Sequence, residues 1–318
     1  MLVLKFGGKS LSTKEKINNI CTHIKQCTLK TKLVVVVSAM GDTTDNLLQL
    51  ATDYGGANAN AREIDALIST GETQSASIFA LALQSFGVKA ISMQGWQIDI
   101  KTMGAHGQSI VTGINKNKIL QKLEKYDVVV VAGFQGVNNL NDITTLGRGG
   151  SDTTAVALGS VLNCEVEIYS DYNGVCVGDP ALLNFKKLKT IDYVSMQTLS
   201  NNGAKVLSSA SVDIARQCKV MVACKQSSNP NSSGTYLTNV PKPFVGLTCK
   251  DDLCEITIIS NSEQNNLQKT AKYIINNVKY YKIILKSNKI TLLLEKQQKS
   301  DVLLKIAKIN KMLEIKNV

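Results

Sequence analysis

The stretch Leu2-Val3-Leu4-Lys5-Phe6-Gly7-Gly8-Lys9-Ser10 joins an apolar run to a pair of glycines, with a lysine near the end of the run. An apolar run without alternation reads as a strand covered on both faces, and the glycines read as the turn that leaves it. A second such run, Leu33 to Val37, follows a helical pattern over residues 13–29. The rhythm continues outward. Ala61 to Phe86 reads as helix with a break near Gly71, Val88 to Met93 as strand, and Lys116 to Lys125 as helix. Asp127 to Val131 reads as a buried strand, Ser151 to Leu162 as helix, and Glu165 to Tyr169 as strand. Uniformly apolar strands alternating with helices predict an α/β chain: a three-layer α/β/α sandwich on a mainly parallel sheet.

Composition shifts near residue 240. A turn-rich cluster of Asn-Pro, Ser-Ser-Gly and Pro-Lys-Pro, from Ser227 to Pro243, marks a boundary. The expected division is 1–240 and 241–318. In the second part, Cys254 to Ser260 reads as strand, Gln264 to Asn277 as helix, Tyr280 to Leu285 and Ile290 to Leu294 as strands, and Asp301 to Leu313 as helix. That β-α-β-β-α order is ferredoxin-like α+β.

Several function classes are disfavoured at once. The formal charge is +11, yet only Arg62, Arg148 and Arg216 are arginines, and the lysines are scattered rather than clustered. Nucleic-acid recognition favours arginine forks in a concentrated patch, so no nucleic-acid partner is expected. The eight cysteines form no CxxC pair, and His23 and His106 are the only histidines. Zinc-site spacing is absent, no metal ligands are expected, and a Ser-His-Asp or Cys-His hydrolase is hard to build. No apolar run is long enough for a membrane helix and none resembles a secretory signal, so a cytoplasmic location without membrane attachment is expected.

The segments that carry chemistry sit where strands end. Lys5-Phe6-Gly7-Gly8-Lys9-Ser10 lets a backbone and an ammonium approach a phosphate closely. Its tail imitates a P-loop, but Val3 stands where that pattern needs glycine. Ser38-Ala39-Met40-Gly41-Asp42-Thr43-Thr44-Asp45 puts small residues and hydroxyls at the carboxyl end of a buried strand, the ligand edge of open parallel sheets. The plainer alternative is a helix capped by Thr44 or Asp45. Gly71-Glu72 sets an acid in an apolar helical stretch. Thr144 to Leu158 reads TTLGRGGSDTTAVAL, a glycine-rich loop that runs into a helix. Such a loop offers N–H groups and a helix N-terminus to an anion, and Arg148 offers a fork for a carboxylate or phosphate. Ile168-Tyr169-Ser170-Asp171-Tyr172-Asn173-Gly174-Val175, with Asp179-Pro180 after it, suits a nucleotide or Mg²⁺ edge. Gly203-Ala204-Lys205-Val206-Leu207 adds a further lysine.

Taken in order, these segments resemble the aspartate kinases of the amino acid kinase family, over about residues 2–237 and more weakly beyond. The resemblance implies phosphoryl transfer from ATP, with Mg²⁺, to the side-chain carboxylate of L-aspartate, a step toward lysine, threonine, methionine and diaminopimelate. It implies that Lys5 and Asp152 serve catalysis. Ser38, Thr44, Glu72, Phe134, Arg148, Gly149, Gly150 and Ser151 would bind the amino acid. Arg148 would clamp its α-carboxylate, and Glu72 and Asp152 would face its α-ammonium. Lys5, Gly7, Gly8, Ser10, Ser170, Asp171 and Lys205 would hold ATP. The second part resembles one ACT domain, and a homodimer is the implied assembly. The chain departs from the pattern mainly on the nucleotide side. Lys9 replaces Thr or Ser, Ser170 replaces Thr, Cys176 replaces Tyr, Ala181 replaces an arginine, and Ser208-Ser209 replaces His-Pro. Two alternatives follow: a kinase of the same fold acting on another acid, and an amino-acid-binding regulatory subunit with a degenerate nucleotide site.

Overall fold

The computed structural model describes residues 1–176, 187–204 and 206–240, and beyond these 245–250, 255–260, 264–278, 280, 282–286, 289–295, 302 and 305. It forms two compact units: Met1–Gly174 with Leu207–Tyr236, and Val175–Val206 with Leu237–Val318.

In chain order the elements begin with β1 (Leu2–Phe6), α1 (Lys14–Thr28), β2 (Leu33–Val37), α2 (Thr43–Gly55), α3 (Ala61–Ile68), α4 (Thr70–Ser85) and β3 (Ala90–Met93). There follow β4 (Lys101–Met103), β5 (Ile110–Gly113), α5 (Lys116–Lys125), β6 (Val128–Ala132), β7 (Gln135–Val137), β8 (Ile143–Thr145), α6 (Gly150–Leu162) and β9 (Val166–Ser170). Next come β10 (Thr190–Asp192), α7 (Tyr193–Asn201), α8 (Ser209–Cys218), β11 (Val222–Gln226) and β12 (Thr235–Thr238). The last are β13 (Val245–Lys250), β14 (Glu255–Ser260), α9 (Gln264–Asn277), β15 (Lys282–Lys286) and β16 (Lys289–Leu293).

The first unit is built on the parallel order β11-β9-β1-β2-β6-β3, with β12 antiparallel along β11. Every residue of β2 and of β6 is buried, which is why both read as continuous apolar runs. On one face, Ile17, Ile20 and Ile24 of α1 and Phe79 and Leu83 of α4 pack on Leu4, Phe6 and Val35. Helices α6 and α8 pack together, α6 also meets β1, β2 and β9, and α5 meets β6. This is the expected three-layer sandwich.

Boundaries shift in instructive ways. The helical break falls at Ser69, between α3 and α4, rather than at Gly71. Neither Thr44 nor Asp45 caps α2, which starts at Thr43 after Asp42 with no side-chain cap bond. A second small sheet, in the order β5-β4-β7-β8, was not anticipated. Its strands run only three or four residues, and its β4–β5 register shifts between Lys101 and Thr102. Such short, irregular strands carry little periodic signal.

The exits of β1 and β2 are joined backbone to backbone. The Gly41 N–H donates to the Gly8 carbonyl at 3.0 Å. A Cβ on Gly8 would lie 2.3 Å from the Ala39 carbonyl oxygen. Lys9, just beyond, is exposed, and its carbonyl accepts from Ser12 Oγ and from Lys16 Nζ, each at 2.9 Å.

In the second unit, β13-β14-β16-β15 form an antiparallel sheet. Ile256, Ile258, Ile274, Ile290 and Leu292 make its core together with α9. The described order is therefore β-β-α-β-β. The mixed sequence Val-Gly-Leu-Thr-Cys-Lys of β13 gave no strand signal, and the expected Asp301–Leu313 helix lies outside the described residues but for Val302 and Lys305.

Leu83 is fully buried between α4 and the sheet. Leu83→Ala is expected to destabilise the chain by about 3 kcal/mol, read as a lowered urea midpoint at unchanged slope. An unchanged midpoint would contradict this packing.

Candidate active site

All six parallel strands present their carboxyl ends along one edge, which fixes where the chemistry gathers. Lys5 is the fourth residue of β1, so its side chain leaves the sheet on the face opposite Leu4 and Phe6. There its Nζ lies 2.7 Å from Asp152 Oδ1 in the first turn of α6, with the two side chains 12% and 10% exposed. A cation this buried needs such a partner.

The loop between β8 and α6 carries Arg148 between two left-handed glycines, Gly147 at φ +70° and Gly149 at φ +74°. Gly149 is fixed twice over, because a Cβ there would also sit 2.4 Å from Ser208 Cβ. Ser208, one of the departures, caps α8 by accepting from the Ser211 N–H, and its Oγ is 3.3 Å from Thr153 Oγ1. No hydrogen bond or ion pair ties the Arg148 guanidinium to another described residue.

Glu72 lies in the first turn of α4 and is buried. Its Oε1 accepts from the Ala39 N–H at 3.0 Å, while Oε2 has no partner among the described residues. Burial pushes its carboxyl up to about 7, against the opposing pull of the Ala39 N–H and the Lys5 charge. An orphaned buried carboxylate oxygen calls for a cationic ligand group.

Phe134 has φ +68°, unusual for a side-chain-bearing residue. Its N–H donates to Thr154 Oγ1 at 3.1 Å and its carbonyl accepts from the Leu146 N–H at 2.9 Å, which hold the strained backbone.

These groups open on one cavity of about 470 Å³. Lys5, Ser38, Thr44, Glu72 and Phe134 line it from one set of elements, and Arg148, Gly149, Gly150 and Ser151 from the loop and the start of α6. The size suits a small polar metabolite. Asp152 stands behind Lys5. Gly7 and Gly8 form the turn leaving β1. Ser10 and Asp171 instead line a separate cavity of about 190 Å³ with Lys16, Ser227 and Ser228, and Ser10 Oγ donates to Ser227 Oγ at 2.9 Å. Ser170 ends β9, where its Oγ accepts from the Tyr172 N–H at 3.2 Å. Lys205, Asp179-Pro180 and Ala181 lie outside the described residues. Asp45, from the segment after β2, also lines the larger cavity; Asp65 and Gly107 line it too and were not anticipated. Asp65 shares the buried stripe of α3 with Ile68, and an acid on such a stripe was the available signal.

A sheet whose strand ends converge on a lysine, an arginine loop and a helix N-terminus defines a fold and site built to bring anions together. The chain belongs to the amino acid kinase family, whose model matches residues 1–224. It is 39% identical over 267 residues to the aspartokinase of Geobacillus stearothermophilus, covering 81% of this chain and 65% of that protein. It is likewise 39% identical over 266 residues to aspartokinase 2 of Bacillus subtilis, covering 81% and 65%. The chain thus spans just under two thirds of the length of these curated relatives. Among solved structures, E. coli aspartokinase III in complex with aspartate and ADP superposes with TM-score 0.71 at 20% identity, over 97% of this chain and 84% of that one. The aspartate kinase of Synechocystis superposes with TM-score 0.66 at 30% identity, over 97% and 54%.

Glu72 generates a prediction with a defined sign. A carboxyl whose folded pKa is raised binds its proton more tightly when folded, so its contribution to stability falls as pH rises from the unfolded value toward about 7. Glu72→Gln keeps the acceptor for Ala39 and removes the buried charge. It is expected to stabilise the ligand-free chain at pH 8 by on the order of 2 kcal/mol and to change little at pH 4, measured by urea unfolding. Equal effects at both pH values would contradict the burial of this charge.

Proposed function

We propose that this chain is an aspartate kinase, transferring the γ-phosphoryl of ATP to the side-chain carboxylate of L-aspartate to give ADP and 4-phospho-L-aspartate. The observation that carries this reading is that Lys5, Arg148 and Glu72, whose Oε2 has no partner among the described residues, line one cavity. The sequence identity with aspartokinases supports the same substrate pair.

The chemistry follows from charge. Two anions must meet, and each repels the other. Arg148 holds the α-carboxylate through a two-pronged guanidinium, and Glu72 takes the α-ammonium on its free oxygen. Phe134 closes the apolar side of the cavity. Ser38, Thr44 and Ser151 supply hydroxyls that fix the acceptor's orientation. The side-chain carboxylate is already ionised, so its oxygen attacks the γ-phosphorus without a general base as the bond to ADP breaks. Lys5 and the amino end of α6 neutralise charge that spreads over the transferring group. Asp152 holds Lys5 in place. Gly7 and Gly8 admit the phosphates closely, with Ser10, Ser170, Asp171 and Lys205 on the nucleotide side.

No group of three or more His, Cys, Asp or Glu suited to a metal occurs among the described residues. Mg²⁺, which phosphate oxygens and water hold with few protein ligands, would supply charge neutralisation on the nucleotide. Residues 1–240 form the catalytic part in this reading and 241–318 an ACT-like part that supports a homodimer. A cytoplasmic place in lysine and diaminopimelate biosynthesis follows from the substrate. No helix of the described residues is long and apolar enough to cross a membrane.

The decisive measurement is ADP release at saturating Mg-ATP with and without L-aspartate. Aspartate-dependent release is expected, and its absence rejects the proposal. Arg148→Ala should raise the aspartate KM by about 30-fold or more while moving the ATP KM by less than about threefold, as loss of a charged hydrogen-bond pair would. Equal shifts in both constants would count against the clamp.

A further inference from the structure

Asp65 is the most heavily engaged buried acid of the first unit, and the chemistry above does not use it. It is 1% exposed. Its Oδ2 accepts from the Thr145 N–H at 2.9 Å, the Gly107 N–H at 3.0 Å and His106 Nδ1 at 2.8 Å. Its Oδ1 accepts from the Thr145 hydroxyl at 2.6 Å. One side chain on α3 thereby fastens two separate segments: the end of β8, three residues before Arg148, and the turn between β4 and β5. Those segments also brace each other. The Ser109 N–H donates to the Thr145 carbonyl at 3.0 Å, and a Cβ on Gly147 would lie 3.0 Å from the Gly107 carbonyl oxygen. Among the described residues nothing bonds the Arg148 guanidinium, and the glycines on either side of it are left-handed.

We propose that Asp65 is the positioning residue of the arginine loop: it ties the end of β8, where that loop begins, to the turn between β4 and β5, so that Arg148 enters the cavity in the one orientation that can grip a carboxylate. This rests on the acid-binding role given to Arg148 above. Buried carboxylates that accept several N–H bonds are costly to leave unpaired and rigidify what they touch. The effect should therefore fall on recognition of the amino acid and leave the nucleotide side alone.

The test compares Asp65→Ala, Asp65→Asn and Thr145→Val in the full chain. Asparagine can keep an oxygen toward the two N–H donors and turn its amide toward the Thr145 hydroxyl, so it should largely rescue. Asp65→Ala is expected to raise the aspartate KM about tenfold and Thr145→Val about threefold, with the ATP KM unchanged. Asp65→Asn should stay within about threefold of the parent. Hydrogen exchange gives a readout independent of catalysis: amides of Gly149, Gly150 and Ser151 should exchange about tenfold faster in Asp65→Ala, while those of α1 keep their protection. If Asp65→Ala does not fold, Thr145→Val carries both measurements. Equal rises in both KM values, or unchanged exchange in the loop, would overturn the proposal. A parent chain that shows no aspartate-dependent ADP release would instead reject the kinase reading, and the exchange comparison would still decide the role of Asp65.

Discussion

The ion pair between Lys5 and Asp152 is the constraint on which the site depends. Lys5 is carried by β1, in the middle of the parallel sheet, and Asp152 by the first turn of α6. A lysine at a strand end can be brought this far from water only if an opposite charge meets it there. The pair therefore fixes how the amino end of α6 lies over the end of β1. Every other group follows from that placement. The loop entering α6 delivers Arg148, Phe134 is bonded to Thr154 one turn along, and Ser151 faces the same opening.

The structure distributes over two cavities the residues that the sequence shows only as a string of motifs. The groups assigned to the amino acid gather around the larger cavity. Ser10 and Asp171, assigned to the nucleotide, line a smaller one. Lys5 lines the first, and a Cβ on Gly7 would lie 3.5 Å from its Nζ. The departures from the family pattern that lie among the described residues behave differently. Ser208 lies against Gly149 of the arginine loop and its Oγ is 3.3 Å from Thr153 Oγ1 in the first turn of α6, so it adjoins the larger cavity's lining as well.

Much of this was legible in the residues themselves. Leu33–Val37 and Asp127–Val131 read as strands because burial on both faces leaves no polar alternation to confuse them, and β6 runs one residue later, Val128–Ala132. The arginine loop was legible because glycines, an arginine and a helix start occur together for no structural reason alone. The small sheet β5-β4-β7-β8 was not, since segments such as Gln-Gly-Val are too short to show a period. Asp65 was missed for a different reason. Its meaning comes from Thr145, 80 positions away, and from Gly107, 42 positions away, and no local pattern announces such partners.

The seam between Gly8 and Gly41 bears on which positions of this turn tolerate change. At Lys9 the chain contributes a carbonyl to its neighbours while the side chain stands in solvent. Among the described residues the hydrogen bonds at this position go to its main-chain carbonyl, and any residue offers the same oxygen. A change at Lys9 leaves that oxygen in place, whereas a methyl at Gly8 would drive into the Ala39 carbonyl and part the two strand exits.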